Sequence, residues 1–327
     1  MVQTKRVFSL ALSIVLFALC CPVWAQQHGK IAKIGELRAR PGSRPSSYVL
    51  LQAIRELGYV EGENIAFETR YTEGKRDRFP RVADELVRLR VDVLLASSLS
   101  EALAFKRATS TIPIVFTGSG DPIAAGLVDS FAQPGGNLTG FTTIGAVLVG
   151  KRLELLKETI PKLSRVAVLW DPRDPNTEQQ WEESQVSARE LGLQPHSMEL
   201  TIADKLESAF RDAAKAYSTA VIVTETPLTA SNQKKIADLA AKNQLPAMYP
   251  RRDFVESGGL MSYGPDRTEV FRRVAAMIDK ILKGTKPNDL PIEQPTKFEL
   301  VINLKTAKQI GLTIPPEVLA RANRVIR

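Results

Sequence analysis

The chain has 327 residues, 44% hydrophobic and 24% charged, with a formal net charge of +8. That length buries a large core and suggests about two domains, and the lysines and arginines are spread along it with no basic run interleaved with aromatics, which excludes nucleic acid as the expected partner. Both cysteines, Cys20 and Cys21, fall in one N-terminal stretch, so disulfides, thiolate chemistry and cysteine-held metals are excluded from everything after it.

Lys5 and Arg6 precede an apolar run from Val7 to Cys21, which Pro22 breaks before Val23-Trp24-Ala25. This is the pattern of a secretory signal peptide, residues 1–25, cleaved after Ala25. The run falls short of the roughly 20 residues that span a bilayer. Cys20 and Cys21 also lack the small preceding residue of a lipoprotein signal. The expected location is periplasmic.

Beyond it, apolar runs alternate with amphipathic segments. Ile31–Leu37, Ile65–Tyr71, Val91–Ala96 and Ile112–Phe116 read as strands. Tyr48–Leu57, Phe79–Leu89 and Ser100–Ala108 read as the helices between them. After Gly140 the rhythm restarts with a helix over Lys151–Thr159, a strand over Val166–Trp170 and a helix over Asn176–Leu191. A strand over His196–Leu200, a helix over Asp204–Tyr217 and the strand Ala220–Val223 follow. Then come a helix over Ser231–Lys242 and a short strand over Ala247–Tyr249. Val270, Phe271, Val274, Met277, Ile278, Ile281 and Leu282 share one helical face, and Gly284 and Pro287 end that helix.

Continuous apolar strands between helices predict parallel sheets covered on both faces. The expected fold is α/β, with two doubly wound parallel-sheet lobes. Turn residues mark three candidate crossings between lobes, at Gly136–Thr143, Tyr263–Asp266 and Pro291–Thr296.

Ligands of open α/β sheets bind beyond the carboxyl ends of the strands, so the candidate site residues are those that follow each strand. In the first half these are Ser47, with Arg38, Arg40, Ser43 and Ser46 nearby, then Ser97, Ser98 and Ser100, then Thr117 and Asp121. In the second half they are Trp170, Asn176, Glu225, Tyr249 and Tyr263. Ser98 with Glu101 has the spacing of a helix capping box, and the same helix start is suited to a carboxylate. Asp121-Pro122 is a cap followed by a first-turn proline, and Ile123 breaks any dinucleotide fingerprint there. Tyr249 and Tyr263 offer ring faces to an aromatic or apolar ligand. The residue pattern gives no support for catalysis. His28 and His196 are isolated, neither a zinc-binding HExxH nor a GxSxG elbow occurs, and Asp171 with Asp174 reads as an Asp-Pro turn. Arg251-Arg252 and Arg272-Arg273 read as exposed charge. No cofactor is expected.

The stretch Pro246–Leu312, with PAMYPRRDFVESGGLMSYGPD and QPTKFELVINLKTAKQIGL, resembles the substrate-binding proteins of bacterial ABC transporters, of the tryptophan/tyrosine type. ELGYVEGENIAFETRYTEGKRDRFPRVADELV, IPIVFTGSGDP, QPGGNLTGFT and KRLELLKETIP extend the resemblance from about Lys30 to the C-terminus. It implies a type I periplasmic-binding fold, with an N-terminal lobe of residues 30–138 and 266–293 and a C-terminal lobe of residues 139–265 and 294–327. It also implies a monomer that takes a small molecule, such as an amino acid, aromatic ones included, between its lobes and delivers it to a membrane ABC permease. The alternative is an exported sensor module that presents a ligand to a chemoreceptor or kinase. Two departures bear on the ligand. Asp171-Pro172 stands where the family commonly has Asn-Pro, and Arg38 and Arg40 stand where many relatives have small residues.

Overall fold

The computed structural model describes residues 31–38, 46–143 and 145–327. The expected signal peptide, Arg40 and Ser43 lie outside them. In chain order the elements are β1 (Ala32–Arg38), α1 (Ser46–Glu56), β2 (Ile65–Tyr71), α2 (Phe79–Arg88), β3 (Val93–Ala96), α3 (Leu99–Ala108), β4 (Ile114–Gly118) and β5 (Leu138–Thr142). Then follow α4 (Gly145–Thr159), β6 (Arg165–Trp170), α5 (Pro175–Glu190), β7 (Gln194–Glu199), α6 (Leu206–Lys215), β8 (Ala220–Val223), α7 (Pro227–Ser231), α8 (Gln233–Lys242) and β9 (Ala247–Tyr249). The last are α9 (Arg252–Glu256), β10 (Met261–Pro265), α10 (Arg267–Leu282), β11 (Phe298–Asn303), α11 (Leu304–Gln309), α12 (Pro316–Ala320) and β12 (Arg324–Ile326).

Among the described residues these strands form two sheets. The first has the order β2-β1-β3-β4-β5 and is parallel throughout. The second begins β7-β6-β8-β9-β10, the same winding repeated, and is parallel over those strands. The doubly wound α/β expectation is met in both. Strand alternation sorts the side chains onto two faces. Leu94 and Ala96 of β3 pack with Phe79, Val82, Leu86 and Phe105 from α2 and α3. Val93 and Leu95 point the other way, against Leu50 and Ile54 of α1 and Val270, Phe271, Val274 and Ile278 of α10. The periodic face of α10 therefore closes a sheet built from strands more than 120 residues earlier in the chain.

The second sheet departs from the purely parallel expectation. β11 runs antiparallel to β10, and β12 pairs parallel with β11. The chain leaves this sheet at Pro265, forms α10 against the first sheet and returns at Phe298, and those two residues are register partners. Strands that leave and return at the same end must run in opposite directions. On its way back Glu293 extends the first sheet. Its N–H donates to the Gly140 carbonyl and its carbonyl accepts from the Thr142 N–H.

Leu138–Thr142, expected as a turn-rich crossing, is a fully buried strand. Gly140 has φ +152, and a Cβ there would sit 2.0 Å from the Phe116 carbonyl oxygen. The glycine marks a close backbone approach within a sheet. The expected lobe boundary at 138/139 thus coincides with the start of β5. The helix expected after Asp121 is a run of turns. Its carboxylate accepts from the N–H groups of Ile123 and Ala124 at 2.8 and 3.1 Å. Gly140→Ala forces β4 and β5 apart, and we expect it to cost about 3 kcal/mol or more. Chemical denaturation checks this, and a midpoint equal to wild type would refute the close-approach explanation.

Candidate ligand-binding cleft

Each sheet reverses its winding once, between β1 and β3 in the first and between β6 and β8 in the second. Open α/β sheets leave a crevice at the carboxyl ends of strands at such a point. The two crevices enclose one cavity of about 770 Å³, a volume ordinary for a small-molecule site. The first sheet supplies Glu36 and Arg38 at the end of β1, Ser97 and Ser98 after β3, and Thr117 and Ser119 around the end of β4. The second supplies Asp174 and Asn176 beyond β6, Glu225 and Thr226 after β8, and Arg251 after β9. Arg267, at the start of α10, lines the cavity where the chain crosses between sheets. Leu50, Leu95, Val270 and Phe271 give it an apolar wall.

Of the sequence-predicted residues, Ser97, Ser98, Thr117, Asn176 and Glu225 come together on this cavity, and Arg38 joins them. Ser47 lies in the first turn of α1. The other candidates point elsewhere. The Ser100 hydroxyl accepts from Arg76. Asp121 caps its turn. Trp170 stacks on Trp181 at 5.7 Å and donates from Nε1 to the Ser197 hydroxyl at 2.8 Å. Tyr249 is completely buried, stacked on Phe254 within the second sheet's core. Tyr263 stacks on Phe298 and packs against the opposite core cluster. Phe271 and its aliphatic neighbours line the cavity where tyrosine rings were expected, because strand alternation at β9 and β10 turns Tyr249 and Tyr263 toward the two cores of the second sheet.

Several groups of the cleft carried no local signal. Arg251, expected as exposed charge, is buried. It donates to Glu225 at 3.0 Å and through Nε to Asp253 at 3.0 Å. Burial opposes its charge, but Asp253 and Glu225 hold its pKa above the ordinary arginine value. Arg267 also approaches Glu225, at 3.8 Å, and stacks over Phe271. Burial first, then the nearby Arg251, pulls its pKa down to about 10. Glu36 accepts from Thr69 at 2.8 Å and pairs with Arg38 at 2.6 Å.

Glu101 was legible only as a capping residue. The Ser98 hydroxyl does accept from its N–H at 3.3 Å. Its carboxylate, however, reaches one residue further back and accepts from the Ser97 N–H and hydroxyl at 2.7 and 2.8 Å. Burial pushes its pKa up to about 7, opposed by the two Ser97 bonds and raised further by Glu36.

Besides the Arg267–Glu225 pair, two further contacts among the described residues join the halves of the molecule across the cleft. Arg76, in a single helical turn after β2, donates to Asp174 at 2.8 Å and lies 4.0 Å from Asp171. Asp174 is the N-cap of α5, and burial raises its pKa despite Arg76. The Asn176 side-chain amide donates to the Ser119 hydroxyl at 3.0 Å.

Because the fold raises the Glu101 pKa above its ordinary 4.5, the native state holds a proton that the unfolded chain releases. Stability is therefore lost as pH rises from about 4.5 through 7. Glu101→Gln keeps an acceptor for the Ser97 N–H without the buried charge. We expect it to be more stable than wild type at pH 8, by on the order of 3 kcal/mol, and nearly equal at pH 5. Urea titrations at the two pH values test this, and parallel pH profiles for the two proteins would count against it.

The family model described as "ABC transporter substrate binding protein" matches residues 43–326. A tyrosine-binding protein of Clostridioides difficile is 24% identical, covering 95% of this chain and 94% of that one. The crystal structure of a conserved domain protein from Vibrio cholerae superposes with a TM-score of 0.83 at 30% identity, covering 90% of this chain and 100% of that one. A Streptococcus pneumoniae ABC domain in complex with L-Trp gives 0.81 at 26%, covering 90% and 99%. Two repeated windings face each other across one cavity, and the family match runs nearly end to end: the chain belongs to the ABC transporter substrate-binding protein family.

Proposed function

We propose that the protein is exported to the periplasm by the signal in residues 1–25, captures an L-amino acid with an aromatic side chain between two lobes, and delivers it to a membrane ABC permease. The lobes are residues 32–143 with 266–293, and 145–265 with 294–327. The observation that carries this reading is the polarity of the cavity. One wall is apolar, from Leu50, Leu95, Val270 and Phe271, and the remainder carries both signs of charge. A zwitterion with an apolar ring fits such a space. Its carboxylate sits at the start of α3, near Ser97 and Ser98, where the helix dipole favours an anion. Its ring lies against Val270 and Phe271. The relatives that bind tyrosine or hold L-Trp support the same ligand class.

The mechanism is hinge closure. The Arg76–Asp174 and Asn176–Ser119 contacts join the lobes and separate when the lobes part. A ligand drives closure only to the extent that it binds the closed form more tightly.

A melting screen over the common amino acids is expected to give its largest upward shifts with tryptophan and tyrosine. Small-angle scattering is expected to show a smaller radius of gyration at saturation. No shift with any amino acid would remove the ligand assignment, and an unchanged scattering profile with a verified ligand would remove hinge closure. Arg76→Ala leaves Asp174 buried without its cation, and losses of this kind act mainly on dissociation. Stopped-flow measurements should show ligand release at least about tenfold faster with association nearly unchanged. Equal release rates would mean that the contact contributes nothing to closure.

A further inference from the structure

Two residues that line the cavity, Asn176 and Gln233, each have a buried side-chain oxygen without a partner. Of the two it is Asn176 that is bonded across the cleft. It is 4% exposed and lines the cavity. Its Nδ2 is committed to Ser119 on the opposite side of the cleft, its N–H donates to Asp174 at 3.1 Å, and its carbonyl accepts from Gln180 at 3.4 Å. Its Oδ1 is buried and has no partner. The amide is also confined. Gly120 has φ +126, and a Cβ at that position would approach both Cβ and Oδ1 of Asn176 to 3.2 Å. A buried carbonyl oxygen held in place without a donor is a costly arrangement. It is explained if the donor arrives with the ligand.

The N-terminal end of α5 on its own would favour an anion here. Its first N–H groups are already used, however, since those of Asn176, Thr177 and Glu178 all donate to Asp174. The group left without a partner at this helix start is therefore an acceptor, on a residue that lines the cavity, with Asp174 and Glu225 among the cavity's other lining residues. That combination selects a positively charged N–H donor.

We propose that Asn176 is a specificity-determining residue, whose Oδ1 accepts a hydrogen bond from the α-ammonium group of the bound amino acid. This rests on the amino-acid reading of the cleft and adds the orientation of the ligand within it. The ammonium faces the second sheet at α5, and the carboxylate faces the first sheet at α3. The Nδ2 bond to Ser119 is made across the cleft, so the amide is positioned for the ammonium only when the lobes are together. One side chain thus couples recognition of the ammonium to closure.

The test is calorimetric titration with L-tryptophan, L-tyrosine and their deaminated counterparts, 3-indolepropionic acid and 3-(4-hydroxyphenyl)propionic acid. The wild-type protein is expected to prefer each amino acid to its deaminated counterpart by at least about tenfold. Asn176→Ala should weaken the amino acids by about tenfold while leaving the deaminated acids nearly unchanged, so that the preference collapses. Asn176→Asp keeps an acceptor in the same place and should preserve the preference. Melting without ligand confirms that each variant is folded. If Asn176→Ala weakens both ligand types equally, the residue serves packing or closure and the inference fails alone. If the deaminated acids lose more, the amide faces the carboxylate and the proposed orientation is reversed. If the wild-type protein binds neither amino acid, the reading of the cleft fails and this inference falls with it.

Discussion

Ser97, Ser98, Thr117, Ser119, Asp174, Asn176, Glu225 and Thr226 sit at or just past the carboxyl end of a parallel strand or at the start of the helix that follows. Parallel strands force this. A strand, its crossover helix and the next strand place all the strand-to-helix turns on one edge of the sheet. Two such edges facing each other make a cavity, and the repeated 2-1-3-4-5 winding makes the two edges alike. The second constraint is connectivity. The chain passes between the sheets after Thr142, after Pro265 and after Glu293. These three crossings lie beside one another, with Phe141 bridged to Glu293 and Pro265 in register with Phe298.

The cavity interior is governed by pairing. Glu36 has Arg38, Asp174 has Arg76, and Glu225 has Arg251 with Arg267. Buried charge without a partner is expensive, and a buried pair roughly balances its own desolvation. The walls are therefore polar without a strong net field of either sign. A singly charged ligand would disturb that balance, whereas a zwitterion can meet both signs at once. Glu101 is the exception. It is a buried carboxylate bonded by the neutral groups of Ser97, and burial holds its proton to about pH 7 against the pull of those two bonds.

The sequence displayed the fold well and the cleft in part, for one physical reason. Periodicity reports which residues are buried, and strand β2 and the apolar face of α10 were legible from it almost residue by residue. It does not report which of two buried faces a side chain joins. Tyr249 and Tyr263 look identical to cleft aromatics until strand register turns them into the two cores. Ser97, Ser98, Thr117 and Asn176 line the cavity because position beyond a strand end decides which side chains reach it. Arg251 and Arg76 gave no such signal, since their partners lie 26 and 98 residues away. β5 was missed because Gly140 and its neighbours read as a turn, when the glycine serves a close approach to Phe116. β11 and β12 were missed because their pairing depends on where the third crossing returns.

The contacts across the cleft also bear on how much work a ligand must do. Arg76–Asp174 and Asn176–Ser119 are made by the protein's own atoms, so under the proposed hinge closure they would favour the closed form whether or not a ligand is present. If they were strong, the protein would close empty and the ligand would meet a sealed site. The opposing term is desolvation. Asp171 and Asp174 are 3% and 4% exposed here, and both regain water when the lobes separate. Ion pairs of this kind return little net energy, so under the proposed hinge closure they would leave the open and closed forms close in free energy. Orientation still matters, because a mismatched closure leaves those carboxylates and the Asn176 amide dry and unpaired, at about 1–3 kcal/mol for each group or more where charge is involved. Under the proposed mechanism the polar contacts would therefore define a single closed arrangement without committing the protein to it, and the ligand's differential affinity would decide how often that arrangement is occupied.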